Sequence, residues 1–371
     1  MKKKYAHIIN PVIAGKESDL FVAQPITFES MRIAQKYSQD IVEVELVTAQ
    51  FEEDRPVIPE FFIKTPNLSK SIQDIIIFNK KRKLPLIKDI LDRLYEASDA
   101  EYFIYTNVDI ALMPFFYVAI TNIIDSGYDA FVITRRTIEK KYGDTGKLHL
   151  MFSQVGEKHR GHDCFVFKSD FYKNFKLGTA CIGADWVGKI LIANLINSAS
   201  NFSEFKNLHL TFHLGNDRIW KDSKFTDYNL HNAKVLNDVI RGYLHNRSFA
   251  EHPTINKYLI RLQENYGLIN SKQRNKIKKE RRPFNDFFKI NPSLKQNLKS
   301  RISLFSSIQI YLKLAWRGFL ISLCLLLYSM SSLPGCLLAS YLCVLPFLID
   351  LNIRYIKLVK HQIKKGSTNI E

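Results

Sequence analysis

Asn107 and Asp109, in the stretch EYFIYTNVDIALMPFFY (101–117), are two oxygen-bearing side chains spaced two residues apart. In an extended chain such residues project to the same side. Two hard oxygen donors there can hold a divalent cation, and the cation can neutralise a diphosphate. The same pair also reads as a turn followed by a helix cap, a role both residue types favour. Arg135 and Arg136 follow the apolar run 130–134; they read either as a guanidinium clamp on phosphate or carboxylate, or as solvated loop charges. HRGHDCFVF (159–167) gathers His159, His162 and Asp163. Without a helix to align the histidines, this is a substrate-contact loop before it is a metal cluster. Asp185 ends the glycine-punctuated FKLGTACIGAD, placed either to cap the next helix or to act as a general base. In LHLTFHLGNDRIW (208–220), His209, Thr211 and His213 alternate with Leu210 and Phe212, and Asn216, Asp217 and Arg218 follow Gly215. So much polar character marks the far wall of the same pocket.

These residues need elements to position them. The continuous apolar run 102–105 suits a strand covered on both faces in a parallel sheet, and Asn107 and Asp109 then lie at its carboxyl end, where open α/β sheets keep their ligand crevice. Pro114 fits the first turn of a helix with Phe115, Val118, Ile120, Ile123 and Ile124 buried. Upstream, 7–12 reads as a first strand turning at Pro11, and 41–47 as a second. Between them, 27–37 reads as a helix that Thr27 caps and Glu29 favours in its first turn. Residues 84–97 put Ile87, Ile90, Leu91 and Leu94 on one helix face. Further strands are expected at 130–134 and 164–167, a helix at 186–197, and a polar loop over the site at 137–158. The alternation predicts an α/β domain with a mostly parallel sheet flanked by helices.

At 371 residues and a formal net charge of +17, the chain holds a full catalytic domain and suits an anionic partner. The five cysteines have neither disulfide-framework nor zinc spacing. The N-terminus MKKKYAHIINPV becomes charged too soon for a signal peptide, so the main domain is expected in the cytoplasm. Past residue 270 the composition changes. A basic run at 272–282 precedes 318–349, which carries no charged residue and is broken by SSLPG at 331–335. A spanning helix needs about 20 apolar residues. The expectation is a C-terminal α-helical membrane-associated segment, a hairpin or a single pass. The basic run then faces anionic lipid headgroups, and nucleic acid is not the partner. The organisation read from the sequence is a catalytic domain over 1–245, a helical polybasic linker over 246–306, the hydrophobic segment over 307–350 and a basic cytoplasmic tail over 351–371.

With those residues in hand, the first 245 or so resemble the GT-A-type glycosyltransferases, on the NVD at 107–109, the preceding LPLIKDILDRL helix and the HLGND segment. The chain is also similar to bacterial glycosyltransferase-like proteins with YTNxDI, GxDCFVF and FHxGxDRxW blocks, here YTNVDI, GHDCFVF and FHLGNDRIW. The resemblance implies a GT-A-like (Rossmann-like) fold. It also implies sugar transfer from a nucleotide-diphosphate donor, with Mn²⁺ or Mg²⁺ on the diphosphate and an envelope glycan or lipid-linked molecule as acceptor. The last acid of the family's DxD motif, its direct metal ligand, maps to Asp109. Asn107 replaces the first acid as an auxiliary oxygen, and His213 matches the family's late histidine ligand. Arg135, Arg136, His162, Asp163, Asp217 and Arg218 become substrate contacts, and Asp185 the base for an acceptor hydroxyl if configuration inverts. Two rival readings use the same residues: a metal-dependent hydrolase or nucleotidyltransferase, and a catalytically silent, membrane-tethered nucleotide- or sugar-binding scaffold.

Overall fold

β1 (Lys3–Ile9) is an interior strand of the sheet, and α1 (Asp19–Ser38) carries the chain back to β2 (Val42–Thr48) and β3 (Ile63–Lys64) in a computed structural model describing residues 2–159, 161–215 and 225–266. α2 (Ile87–Ala97) then leads to β4 (Tyr102–Thr106), β5 (Ala111–Leu112) and α3 (Phe116–Asp125). β6 (Ala130–Ile133), β7 (Arg136–Ile138), α4 (Leu148–Phe152), β8 (Glu157–Lys158) and β9 (Cys164–Lys168) follow. α5 (Val187–Ser198), β10 (Phe202–Phe205), β11 (Thr211–Leu214), α6 (Thr226–Tyr243), α7 (Arg247–Ala250) and α8 (Pro253–Tyr266) complete the described elements.

Seven strands form one sheet in the order β10-β6-β9-β4-β1-β2-β3. All pairs are parallel except those of β9, which runs antiparallel to both β4 and β6. The fold class is thus the expected α/β with a mostly parallel sheet between helices. β4 is buried at all five positions, as a strand covered on both faces must be. The chain passes to β2 and β3 on one side of β1 and to β4 on the other, so the carboxyl ends of β1 and β4 border the topological switch point. Buried His7 ties this junction together, its Nδ1 2.9 Å from the Tyr117 hydroxyl and its Nε2 2.9 Å from Thr106 Oγ1. Burial pulls its imidazole down to about 3, so it is neutral at ordinary pH.

Periodicity placed α2 well: Ile87, Ile90, Leu91 and Leu94 are fully buried. Other expectations moved. α1 begins at Asp19 rather than Thr27, capped by Ser18, and runs through Pro25. Its first half is held by Gln24, whose side chain brackets the N–H and C=O of Val12 at 2.8 and 3.0 Å, and by buried Ala23 and Ile26. These contacts offset the cost of an interior proline. Phe115, expected in the core, is 41% exposed, because α3 starts one residue after it and buries Phe116 and Tyr117 instead. The stretch 137–158 is not a plain loop. With β5 and β11 it builds a second sheet, β5-β11-β7-β8. Ile138, Leu148 and Met151 are buried against Phe212 and Leu214, too widely spaced in sequence to show a period.

The described fold also continues past residue 245, with Phe249 of α7 and Ile255, Tyr258 and Leu262 of α8 buried. Among the described residues no helix is long and apolar enough to cross a membrane. The expected membrane segment at 307–350, the basic run at 272–282 and the tail at 351–371 lie outside the described residues.

Candidate active site

β4 ends at Thr106, and the N–H of Ile110 donates to Asn107 O at 3.1 Å, closing a tight turn before β5. The turn reading of this stretch is therefore correct for its backbone. The capping reading is not, since α3 begins only at Phe116 with Phe115 in the cap position. The side chains are free for other work. Asn107 Oδ1 accepts from the Tyr105 hydroxyl at 3.0 Å. Asp109 turns toward β11, its Oδ2 3.1 Å from Nε2 of buried His213. Asp109 Oδ1 is buried with no hydrogen-bond partner among the described residues. β11 lies between β5 and β7, which brings His213 beside the turn after β4.

His213 Nδ1 lies 2.8 Å from Gly215 O, so this nitrogen carries the hydrogen and donates. Nε2 is left facing the carboxylate. A metal-binding histidine usually donates its non-ligating ring N–H to a carbonyl or carboxylate; here that role falls to Gly215 O, and Nε2 lies beside the Asp109 carboxylate. Neighbouring ligands on an octahedral Mg²⁺-like ion sit about 3 Å apart, which matches this pair. The residues present therefore fit a divalent cation. Among the described residues no group of three His, Cys, Asp or Glu side chains gathers around one point. The cation would take Asp109 and His213 from the protein and complete its shell with other oxygens.

A second polar group adjoins the first. β6 and β9 pair antiparallel through Ile133 and Cys164, so the residues just beyond them leave the sheet together. There Arg135 Nη1 lies 3.1 Å from Asp163 Oδ1, both side chains buried. His159 Nδ1 is 3.6 Å from Asp163 Oδ2. Burial opposes ionisation of Asp163, yet Arg135, then His159 and His213, hold its carboxyl below the usual range. Arg135 Nε and Nη2, Thr134 Oγ1 and Thr211 Oγ1 are buried without partners among the described residues. Arg136 does not join them. It is the next residue along an extended chain, and its Nε donates to Val155 O at 2.8 Å instead.

The three-residue metal cluster weighed for His159, His162 and Asp163 does not assemble. His162 Nε2 points to Glu204 of β10, 3.3 Å away, and His162 chiefly holds that carboxyl down to about 2. Asp185 also lies in a group of its own. Trp186, at φ +79°, occupies the cap position of α5, and Asp185 Oδ1 accepts from the Trp186 N–H at 2.8 Å and from Lys189 Nζ at 3.1 Å. Burial opposes its ionisation, but Lys189 foremost keeps its carboxyl below the usual range. The side chain remains 37% exposed. α5 adjoins the Asp163 loop directly, since a Cβ on Gly188 would come within 3.2 Å of His162 O. Asp217 and Arg218 lie outside the described residues.

No family model matches the chain, and no curated protein matches it. Solved structures overlap it in part. The chain is similar to S. aureus TarS 1–349 in complex with UDP-GlcNAc, at 9% identity and a TM-score of 0.37, over 66% of this chain and 73% of that one. It is also similar to glucosyl-3-phosphoglycerate synthase from Mycobacterium tuberculosis in complex with Mn²⁺, UDP-glucose and phosphoglyceric acid. That overlap has 11% identity and a TM-score of 0.37, over 64% and 79% of the two chains.

Tyr105, Lys189 and Glu204 are site neighbours that the sequence reading passed over. Tyr105 shares strand parity with Asn107, so its place was available from spacing. Lys189 stands four residues after Asp185, one helical turn on. Glu204 carried no local signal.

The Arg135–Asp163 pair has a direct thermodynamic consequence. Asp163→Ala leaves a buried guanidinium unpaired and is expected to cost about 3–5 kcal/mol, read from denaturant midpoints. Arg135→Met combined with Asp163→Leu should recover most of that loss. The folded carboxyl titrates below its unfolded value of about 3.9, so its contribution is complete above that pH and fades as pH falls toward the folded value. Asp163→Asn should lack this acid-dependent component. A denaturation profile with the same acid slope in both proteins contradicts the assignment.

Proposed function

We propose that the chain is a nucleotide-sugar glycosyltransferase of the GT-A type, acting on an envelope glycan or lipid-linked acceptor at the cytoplasmic side of a membrane. The observation that carries this reading is the Asp109–His213 pair, with its unpartnered carboxylate oxygen, at the carboxyl end of β4 beside the switch point. Asp109 and His213 would hold Mn²⁺ or Mg²⁺, with Asn107 as an auxiliary oxygen, and such a cation would supply positive charge to offset that developing on the departing diphosphate. Asp163 keeps Arg135 in place, and the guanidinium's Nε and Nη2, buried without partners among the described residues, would donate to the oxygens of the donor. His162, Asp217 and Arg218 complete the substrate contacts. Asp185, ionised and half-exposed, takes the proton of the acceptor hydroxyl if the reaction inverts configuration.

The test is release of nucleoside diphosphate from a panel of nucleotide sugars, with Mn²⁺ and with or without membrane-derived acceptors. Acceptor-stimulated release supports a transferase. Release indifferent to acceptor indicates a hydrolase, and no turnover with intact nucleotide binding indicates a scaffold.

A further inference from the structure

Between Ser71 and Leu84 the chain forms a finger held firmly at its base. Ile72 is fully buried, and its N–H donates to Leu84 O at 2.9 Å. Ser71 and Asp74 close a reciprocal capping box around the turn Ile72–Asp74. Phe78 is buried and stacks on Tyr228, ring centroids 3.9 Å apart. The Tyr228 hydroxyl donates to Lys80 O at 2.7 Å and accepts from the Arg82 N–H at 2.9 Å, and the Asn79 N–H donates to Asp227 at 2.9 Å. The backbone is thus fixed on both sides of the tip. Yet Ile77 is 97% exposed and Ile75 is 43% exposed. A well-anchored backbone that aims an isoleucine outward presents it to something apolar.

Charge stands directly behind the tip. Residues 70–83 contain five cationic side chains (Lys70, Lys80, Lys81, Arg82 and Lys83) against one carboxylate, Asp74. Lys83 pairs with Glu53 and lies over the Phe51 ring, and Arg82 donates to Gly183 O at 3.1 Å. Lys80 and Lys81 are exposed and have no ion pair among the described residues. The same rim carries a third exposed apolar side chain. Ile13, 53% exposed, is fixed through its N–H to Asp54, the neighbour of Glu53, at 2.8 Å.

We infer that the finger at 75–83 docks on an anionic lipid bilayer, with Ile75 and Ile77 in the headgroup–acyl boundary and Lys80 and Lys81 on the anionic headgroups. Apolar tips flanked by lysines match the depth profile of such an interface, where the acyl boundary takes the isoleucines and negative phosphates take the ammonium groups. A nucleic-acid partner would engage the lysines and leave the isoleucines in water. The Arg82–Gly183 hydrogen bond joins the finger to the loop that ends in Asp185, so docking would turn this side of the domain toward the lipid. The inference does not rest on the assignment of the metal and donor residues.

The experiment places an environment-sensitive fluorophore at position 77 of the full chain through Ile77→Cys. Cys324, Cys336 and Cys343 are replaced by alanine, and Cys164 and Cys181 are left in place because they are buried. Vesicles of phosphatidylglycerol should blue-shift the emission, and nitroxide carried on the acyl chains should quench it. A probe at Tyr37, exposed near the end of α1 beside the amino end of β2, should stay in water. Lys80→Glu with Lys81→Glu should abolish the shift at position 77. An unshifted probe on vesicle-bound chain overturns the inference. So does equal embedding in neutral phosphatidylcholine, or a blue shift before lipid is added, which would mean that protein already covers the tip.

Discussion

Asp109→Ala is expected to abolish the coupling between Mn²⁺ and nucleotide binding while the domain stays folded. Asp109 is the one carboxylate at the end of β4, and its Oδ1 is buried without a partner among the described residues while Oδ2 faces His213. A cation held by one carboxylate and one imidazole binds weakly by itself, so most of its affinity comes from diphosphate oxygens. Metal and nucleotide should therefore tighten each other by the same factor, about 5–150-fold for coupled sites. Calorimetric titration of a nucleoside diphosphate with and without Mn²⁺ measures that factor. It should fall to one in Asp109→Ala and to an intermediate value in His213→Ala, which keeps the carboxylate. The cost in stability should be small, since Asp109 Oδ1 has no partner among the described residues and Oδ2 faces the imidazole nitrogen that carries no hydrogen. Nucleotide affinity indifferent to Mn²⁺ in the unaltered protein would sink the metal reading outright.

If Asp185 is the general base, Asp185→Asn is expected to lower turnover by about 10²–10⁴-fold, the range lost with such a group. Asparagine can still accept from the Trp186 N–H, but it loses its charge partner Lys189. Lys189 is nearly buried, and burial lowers its ammonium's affinity for a proton. Part of any lost activity could then come from a disturbed first turn of α5. The double variant Asp185→Asn with Lys189→Met separates the two effects, since it removes the unpaired cation and keeps much of its bulk. Stability should return toward that of the unaltered protein while turnover stays low. Because Asp185 titrates below the usual carboxylate range, turnover should hold to low pH and fall only as the carboxyl gains its proton. If the double variant regains turnover along with stability, Asp185 is a positioning group for α5 and the base lies elsewhere.

Local pattern carried much of the architecture. Residues 102–105 are apolar without interruption, and β4 is buried on both faces. The stripe of Ile87, Ile90, Leu91 and Leu94 became the buried face of α2. Strand and helix periods are properties of a few consecutive residues, so they can be read along the chain. A spacing of two at a strand end singled out Asn107 and Asp109, but 107–110 forms a turn rather than extended chain, and only Asp109 turns toward His213.

The tertiary structure decided what depended on distant partners. Asp109 and His213 are 104 positions apart and meet because β11 lies between β5 and β7. Arg135 and Arg136 look equivalent in sequence, but only Arg135 meets Asp163, through the antiparallel pairing of β6 with β9. His162 belongs with Glu204, 42 positions on, rather than with its neighbour Asp163. The short strands β7 and β8 have no pattern of their own and exist through pairing with β11 and with each other. Type and spacing proposed the chemistry, and long-range packing chose which of the proposed side chains could share one site, because that choice depends on contacts between residues far apart in the chain.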